Sequence, residues 1–161
     1  MRNALLTLVA IAVFATACTS HKVTVDSNGT TVTTSGDNQT VTVQSSGGSV
    51  TVGKNVVDAT KLGLPVYPGA DASQNTGWTG SGKEGSGTVA MLTTKDTFDK
   101  VYDWYKSQMP AGSEKLKTTS DSGSMAMFQI GKEGDKEQKV VTITGEKDAT
   151  NIMLTVGSKN N

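Results

Sequence analysis

Residues 22–57 repeat every nine residues, and this period constrains the fold more than any other feature of the chain. The units read KVTVDSNGT, TVTTSGDNQ, TVTVQSSGG and SVTVGKNVV. Valine alternates with threonine, so one strand face is apolar and the other hydroxylated. Asn28-Gly29, Asp37-Asn38 and Ser46-Gly47 separate the runs, and Asn-Gly is the strongest short hairpin signal. Two-residue loops at these points pair Val25 with Val32, Val32 with Val43, and Val43 with Val50. The same arithmetic aligns Val23, Thr34, Val41 and Val52. Valines then stay on one face, and a slip of one residue breaks the pattern. A four-stranded antiparallel meander satisfies every unit. A small β-solenoid, which stacks equivalent positions, and a flexible Ser/Thr/Gly spacer are the competing readings.

The second half changes character. Leu64-Pro65-Val66-Tyr67-Pro68-Gly69-Ala70 holds two prolines and a turn glycine, a rigid entry to a new unit. Strands are expected at Thr76–Gly80 and Thr88–Thr93, around a glycine-rich turn at Ser81–Gly87. One helix follows. Asp96 is its expected N-cap, with Asp99 three residues on, close to a capping box. Phe98, Val101, Tyr102, Tyr105 and Met109 share one face at helical spacing, and Pro110 and Gly112 end it. Four further strands are expected at Glu114–Thr119, Ser124–Ile130, Lys139–Thr144 and Asn151–Val156. Their hairpin-length links imply antiparallel pairing. The expected fold class is α+β: the meander or solenoid, then a two-layer domain of antiparallel sheet and one helix. This domain is placed at 58–157, after a repeat extension at 22–57, with a disordered tail at 158–161.

The start of the chain carries an address. Arg2 precedes an apolar run from Leu5 to Phe14, then the small-residue site Ala15-Thr16-Ala17. The run is too short to span a bilayer, which takes about 20 residues, so a secretory signal is the better reading than a transmembrane helix. Ala15-Thr16-Ala17-Cys18 resembles the lipobox of bacterial lipoproteins, although leucine usually stands where Ala15 does. The resemblance implies cleavage after Ala17, diacylglycerol on the Cys18 sulfur and an acyl chain, such as palmitate, on its amino group. Residues 1–17 would be removed and 18–21 would form a tether. Several acyl chains hold a protein stably on a membrane, where one does not. Thr19, rather than aspartate, after the cysteine implies sorting to the outer membrane if the cell is Gram-negative. Residues 62–157 are also similar to a domain of uncharacterised bacterial envelope and secreted proteins. The shared landmarks are Pro65-x-Tyr67-Pro68-Gly69-Ala70, Thr94-Lys95-Asp96, and Val101 with Trp104-Tyr105.

Little in the composition points to chemistry. Once Arg2 departs with the signal, fourteen positive charges face fifteen negative, a net −1. That favours neither nucleic acid nor anionic lipid as a partner. Cys18 is the single cysteine and His21 the single histidine, and both lie at the tether, which leaves no His-based triad or His/Cys zinc site. Carboxylates at Glu84, Glu114, Glu133, Asp135 and Glu137 are the candidates for a wall-glycan hydrolase, although most lie in turns, where solvated charge is the usual role. Met91, Met125, Met127 and Met153 could converge as soft ligands for Cu(I), or simply fill gaps under a partner. Tyr67 and Trp78 are candidates for an exposed aromatic binding patch, with core packing the default reading for both and for Trp104. The expected protein is a lipid-anchored, non-enzymatic envelope protein without a cofactor. Its role is to bind another envelope protein or a wall or surface polymer.

Overall fold

The computed structural model describes residues 23–27, 29–35, 39–121 and 123–160. Ala17, Cys18, Asn28, Asp37 and Asn38 lie outside these residues. The repeat forms strands β1 (Val23–Ser27), β2 (Thr30–Thr34), β3 (Thr40–Ser45) and β4 (Gly48–Lys54). Consecutive strands pair antiparallel. Val25, Val32, Val43 and Val50 form one row across them, and Val23, Thr34, Val41 and Val52 another. Successive units therefore lie side by side in alternating directions, not stacked as in a solenoid. On the threonine face, the Thr42 and Thr51 hydroxyls lie 3.0 Å apart and bond across the strands.

Residues 55–70 link β4 to β5 (Asp71–Gly82) through a short 3-10 turn at Ala59–Leu62. β6 (Gly85–Thr94), helix α1 (Phe98–Gln108), β7 (Glu114–Ser120), β8 (Gly123–Ile130), β9 (Glu137–Gly145) and β10 (Thr150–Lys159) complete the chain. All ten strands form one sheet, in the order β1-β2-β3-β4-β5-β6-β10-β9-β8-β7. β4 pairs directly with β5, so the sheet runs unbroken from the repeat into the second half. The β6–α1–β7 connection crosses to the far edge, and the return through β8 and β9 brings β10 home against β6. The fold is β-rich and antiparallel, with a single α-helix among the described residues.

The core lies between α1 and the centre of the sheet. Val101 and Tyr105 from the helix pack with Leu92, Leu154, Val141 and Phe128 from the strands, all essentially buried. Helical spacing explains this: the apolar face of α1 points at the sheet, while Asp99, Lys100, Asp103 and Lys106 are exposed. Gly145 lets the helix come close, because a Cβ there would sit 2.7 Å from the Phe98 Cβ.

Three local expectations change. Thr97, not Asp96, caps α1, accepting from the Lys100 amide at 3.5 Å; Asp96 is engaged elsewhere. The turn expected at Ser81–Gly87 shrinks to Lys83-Glu84, because Gly80, Ser81 and Gly82 pair with Gly87, Ser86 and Gly85 as strand residues. Glycine density read as a turn is here paired strand. Ser158 and Lys159, expected in a tail, extend β10 opposite Ser86 and Gly85.

Candidate functional site

Strand alternation decides what each face of the sheet offers. The helix side takes Ala90, Leu92, Ala126, Phe128, Val141, Ile143, Ile152 and Leu154, each at most 1% exposed. Their neighbours along each strand point to the other side, which no element covers among the described residues. Cross-strand register builds that open face row by row. One row runs Thr76–Met91–Met153–Thr142–Met127–Leu116 across six strands. The next runs Val41–Val52–Trp78–Val89–Thr155–Val140. A third runs Val25–Val32–Val43–Val50–Gly80–Gly87–Gly157.

The markedly exposed large apolar residues all fall on this face. In the repeat they are Val25, Val41, Val43, Val50 and Val52; beyond it they are Trp78, Met91, Leu116, Met125 and Met153. Among the described residues in regular register, charged side chains take open-face positions at strand ends, at Lys54, Asp71 and Lys159, and Glu146 reaches the face from the turn between β9 and β10. Ten large apolar side chains thus stand exposed on one nearly uncharged face, the kind of surface that marks an interaction site.

The face has relief. The Trp78 indole lies over Gly80 and Gly87: a Cβ at Gly87 would meet Trp78 Cη2 at 3.0 Å, and one at Gly80 would meet Cζ3 at 3.4 Å. Val89, the cross-strand partner of Trp78, is 5% exposed, whereas Trp78 is 38% exposed. Beside it, a Cβ at Gly157 would meet nothing within 4 Å. Further along, a shallow depression of about 500 Å³ is lined by Thr76, Met91, Thr93, Thr142, Asn151 and Met153. Thr93 donates to Asn151 Oδ1 at 3.0 Å, and Asn151 donates to Glu146 at 2.9 Å, which closes its rim.

The sequence candidates distribute unevenly. All four methionines lie on the open face. Met91 and Met153 are direct cross-strand partners, while Thr142 separates Met153 from Met127, and Met125 lies in an adjacent row. Trp78 belongs to the face, but Tyr67 does not. It is 4% exposed on the helix side, where its ring meets Trp104 edge-on at 5.3 Å. The expected patch of two aromatics therefore reduces to Trp78. Among the carboxylates, Glu114 accepts from the Tyr102 hydroxyl at 3.0 Å, and Asp135 accepts from the Lys132 amide within its own turn. The feature that sequence reading missed is the merging of the repeat valines with the methionines on one face. Its signal was present in the valine register, which continues through Trp78 and Val89.

The landmark motifs have a structural explanation. The Tyr67 hydroxyl donates to Asp96 Oδ2 at 2.6 Å, and Lys100 bonds the other oxygen at 2.9 Å. These two bonds hold the Asp96 carboxyl below its usual range. Burial, then the bond to Asp96, raises Tyr67. A Cβ at Gly69 would fall 2.7 Å from the Tyr67 ring and 2.8 Å from Asp96 Oδ2, so glycine is needed there. Tyr105 donates to the Pro65 carbonyl at 3.1 Å, and its burial raises its pKa well above the usual value. Pro65, Tyr67, Gly69, Asp96, Trp104 and Tyr105 thus form one lock between the 55–70 segment and α1.

No curated protein and no solved structure matches the chain. A family model described as START domain-like matches residues 71–157. That match starts at β5, takes in α1 and the helix-covered strands, and spans more than half of the 161 residues. The chain belongs to the START domain-like family.

Proposed function

We propose that this chain is a membrane-anchored envelope lipoprotein with a non-catalytic binding role, and that the open sheet face is the surface it presents. The observation that carries this reading is the confinement of the strongly exposed large apolar residues to one nearly uncharged face. Such a face loses free energy by removing apolar area from water, about 25 cal/mol per Å². Family membership supports the reading, since START-like domains are generally binding domains. The space between helix and sheet is filled by Tyr102, Tyr105, Phe128 and Val141, and the opposite face offers exposed apolar area. Valine, methionine and a single tryptophan suit the apolar surface of another envelope protein better than a hydroxyl-rich wall polymer. Anchoring rests on the lipobox-like Ala15-Thr16-Ala17-Cys18.

Two measurements test the halves of this proposal. Intact mass of the membrane-extracted chain should show diacylglycerol plus an acyl chain on Cys18, and Cys18→Ser should release the protein from membranes. An unmodified protein in the soluble fraction would overturn the anchor. A photo-crosslinking residue at Met153 should give protein adducts in intact cells, while one at Asp103, exposed on α1, should give few. Equal yields at the two positions would overturn the binding face.

A further inference from the structure

We propose that Met91, Met125 and Met153 are the oxidation sites of this chain, and that turning their thioethers into sulfoxides switches off the open face as a docking surface. The switch rests on the reading of that face as a docking surface; the choice of sites does not.

Placement is the first argument. The chain has six methionines, one of them at position 1. Met91, Met125 and Met153 are 50%, 39% and 38% exposed, whereas Met109 is 7% exposed in the core between helix and sheet. Met127 is half-buried on the same face as the first three. An oxidant must reach the sulfur to react with it, so the open face carries the reactive sulfurs and the core keeps the protected one. Two of the three are also close. Met91 and Met153 are cross-strand partners, which places their Cβ atoms about 4.5–5.5 Å apart. Both line the shallow depression of about 500 Å³, which admits a molecule as small as hydrogen peroxide.

Chemistry is the second argument. The step needs only a two-electron oxidant of the peroxide class. A sulfur lone pair attacks one peroxide oxygen, and the O–O bond breaks as the S–O bond forms. The departing hydroxide takes the proton of the attacked oxygen and leaves as water. Sulfur gives up two electrons and the peroxide gains them. A flexible apolar side chain becomes a polar one, a change that disrupts methionine-rich interfaces and that sulfoxide reductases reverse.

The third argument is that the free face tolerates this product and a covered face does not. Thr76 stands beside Met91, Thr142 beside Met153 and Thr144 beside Met125 in cross-strand register. Their hydroxyls are donors for a sulfoxide oxygen, and water supplies others. An apolar partner displaces that water and sets the S–O dipoles against apolar surface, which opposes binding.

The test uses the full chain purified from cells and graded hydrogen peroxide. Peptide mass mapping should show one added oxygen at Met91, Met125 and Met153 well before Met109, with Met127 between them. The melting temperature should stay close to that of the reduced protein. Met109 oxidised as fast as the other three would overturn the sites. The switch is read in membranes, from the adduct yield of a photo-crosslinking residue at Val52, an exposed position on the same face. Peroxide should lower that yield about ten-fold in the otherwise unaltered chain. The yield should hold in a Met91→Leu, Met125→Leu, Met153→Leu variant, which keeps apolar side chains without a reactive sulfur. Met91→Gln with Met153→Gln should lower it without peroxide. Equal losses with and without the three leucines, or no loss in either, would overturn the switch and leave the docking surface standing. No adducts from Val52 before any peroxide would overturn the docking surface and the switch with it, while the mass map still decides the sites.

Discussion

The two ends of this sheet use the same strand chemistry and reach opposite results. In β6, β8, β9 and β10, alternation delivers one set of side chains to α1, and these are almost fully buried. In β2, β3 and β4, alternation is at least as regular, yet no residue of those strands is buried. The difference is cover. A period of two specifies a register, but burial comes from a second layer, and α1 extends over only part of the sheet. The repeat holds its shape through cross-strand pairing and its junction with β5, while Val25, Val41, Val43, Val50 and Val52 remain on the surface.

Substitutions should separate the two regions by size of effect. Phe128 is 1% exposed and contacts the Tyr102 and Tyr105 rings at 5.8 and 6.5 Å. Phe128→Ala should cost about 3–5 kcal/mol in urea unfolding. Val43→Ala, at a position 39% exposed, should cost under about 1 kcal/mol in the monomer. Equal losses would mean that the repeat is covered as thoroughly as the core.

A second prediction targets the lock that ties the 55–70 segment to α1. Gly69→Ala places a Cβ against the Tyr67 ring and the Asp96 carboxylate. Overpacking of this kind typically costs about 1–3 kcal/mol. The loss should appear in thermal unfolding followed at the aromatic band. Gly47→Ala in the repeat, where the nearest atom is 3.7 Å away, should leave the melting temperature close to wild type.

How much of this could be read from the sequence follows from the range of each interaction. The valine register was legible because each hairpin pairs residues a few positions apart, with the turn fixing the arithmetic. The buried face of α1 was legible because helical spacing places Phe98, Val101, Tyr102 and Tyr105 together. The return of β10 to β6 was not, since Leu154 meets Ala90 across a helix and three strands and no local signal carries that pairing. Gly80, Gly82, Gly85 and Gly87 resembled a turn because glycine is common there. Their strand role is visible only once the Trp78 ring lies over two of them. Tyr67 could be read as a surface or a core aromatic, and only the distant Asp96 and Trp104 decide for burial. The open face was legible in pieces, as valines and as methionines. Its unity depends on the β4–β5 pairing, which the proline-rich segment between them concealed.

The lock also carries a pH dependence. The bond from Tyr67 and then that from Lys100 lower the Asp96 pKa in the folded state. A lowered carboxylate contributes stability that is fully present above its unfolded value, about 3.9, and is lost as pH falls through its folded value. Tyr67→Phe removes the larger of the two causes. Its stability should therefore fall less steeply than that of wild type on acidification below about pH 4, as measured by urea midpoints at stepped pH. An unchanged acid limb would mean that Lys100 alone sustains the shift.

The smallest effect gives the finest comparison. Val43→Thr retains the β-branched shape favoured in strands and exchanges a methyl for a hydroxyl on the open face. In a dilute monomer, this change should stay within about 0.5 kcal/mol. Where the face is covered by a bound partner, the hydroxyl is carried into an apolar interface and lacks a ready partner, so the same substitution costs more. A partner that binds the folded state stabilises it more as its concentration rises, so the gap between Val43→Thr and wild type should widen as the partner's concentration is raised a hundred-fold. The corresponding gap for Phe128→Ala should change less, because its main cost lies inside the chain's own core. A Val43→Thr gap that ignores concentration would leave the repeat exposed in solution, with its valines acting only through their own strands.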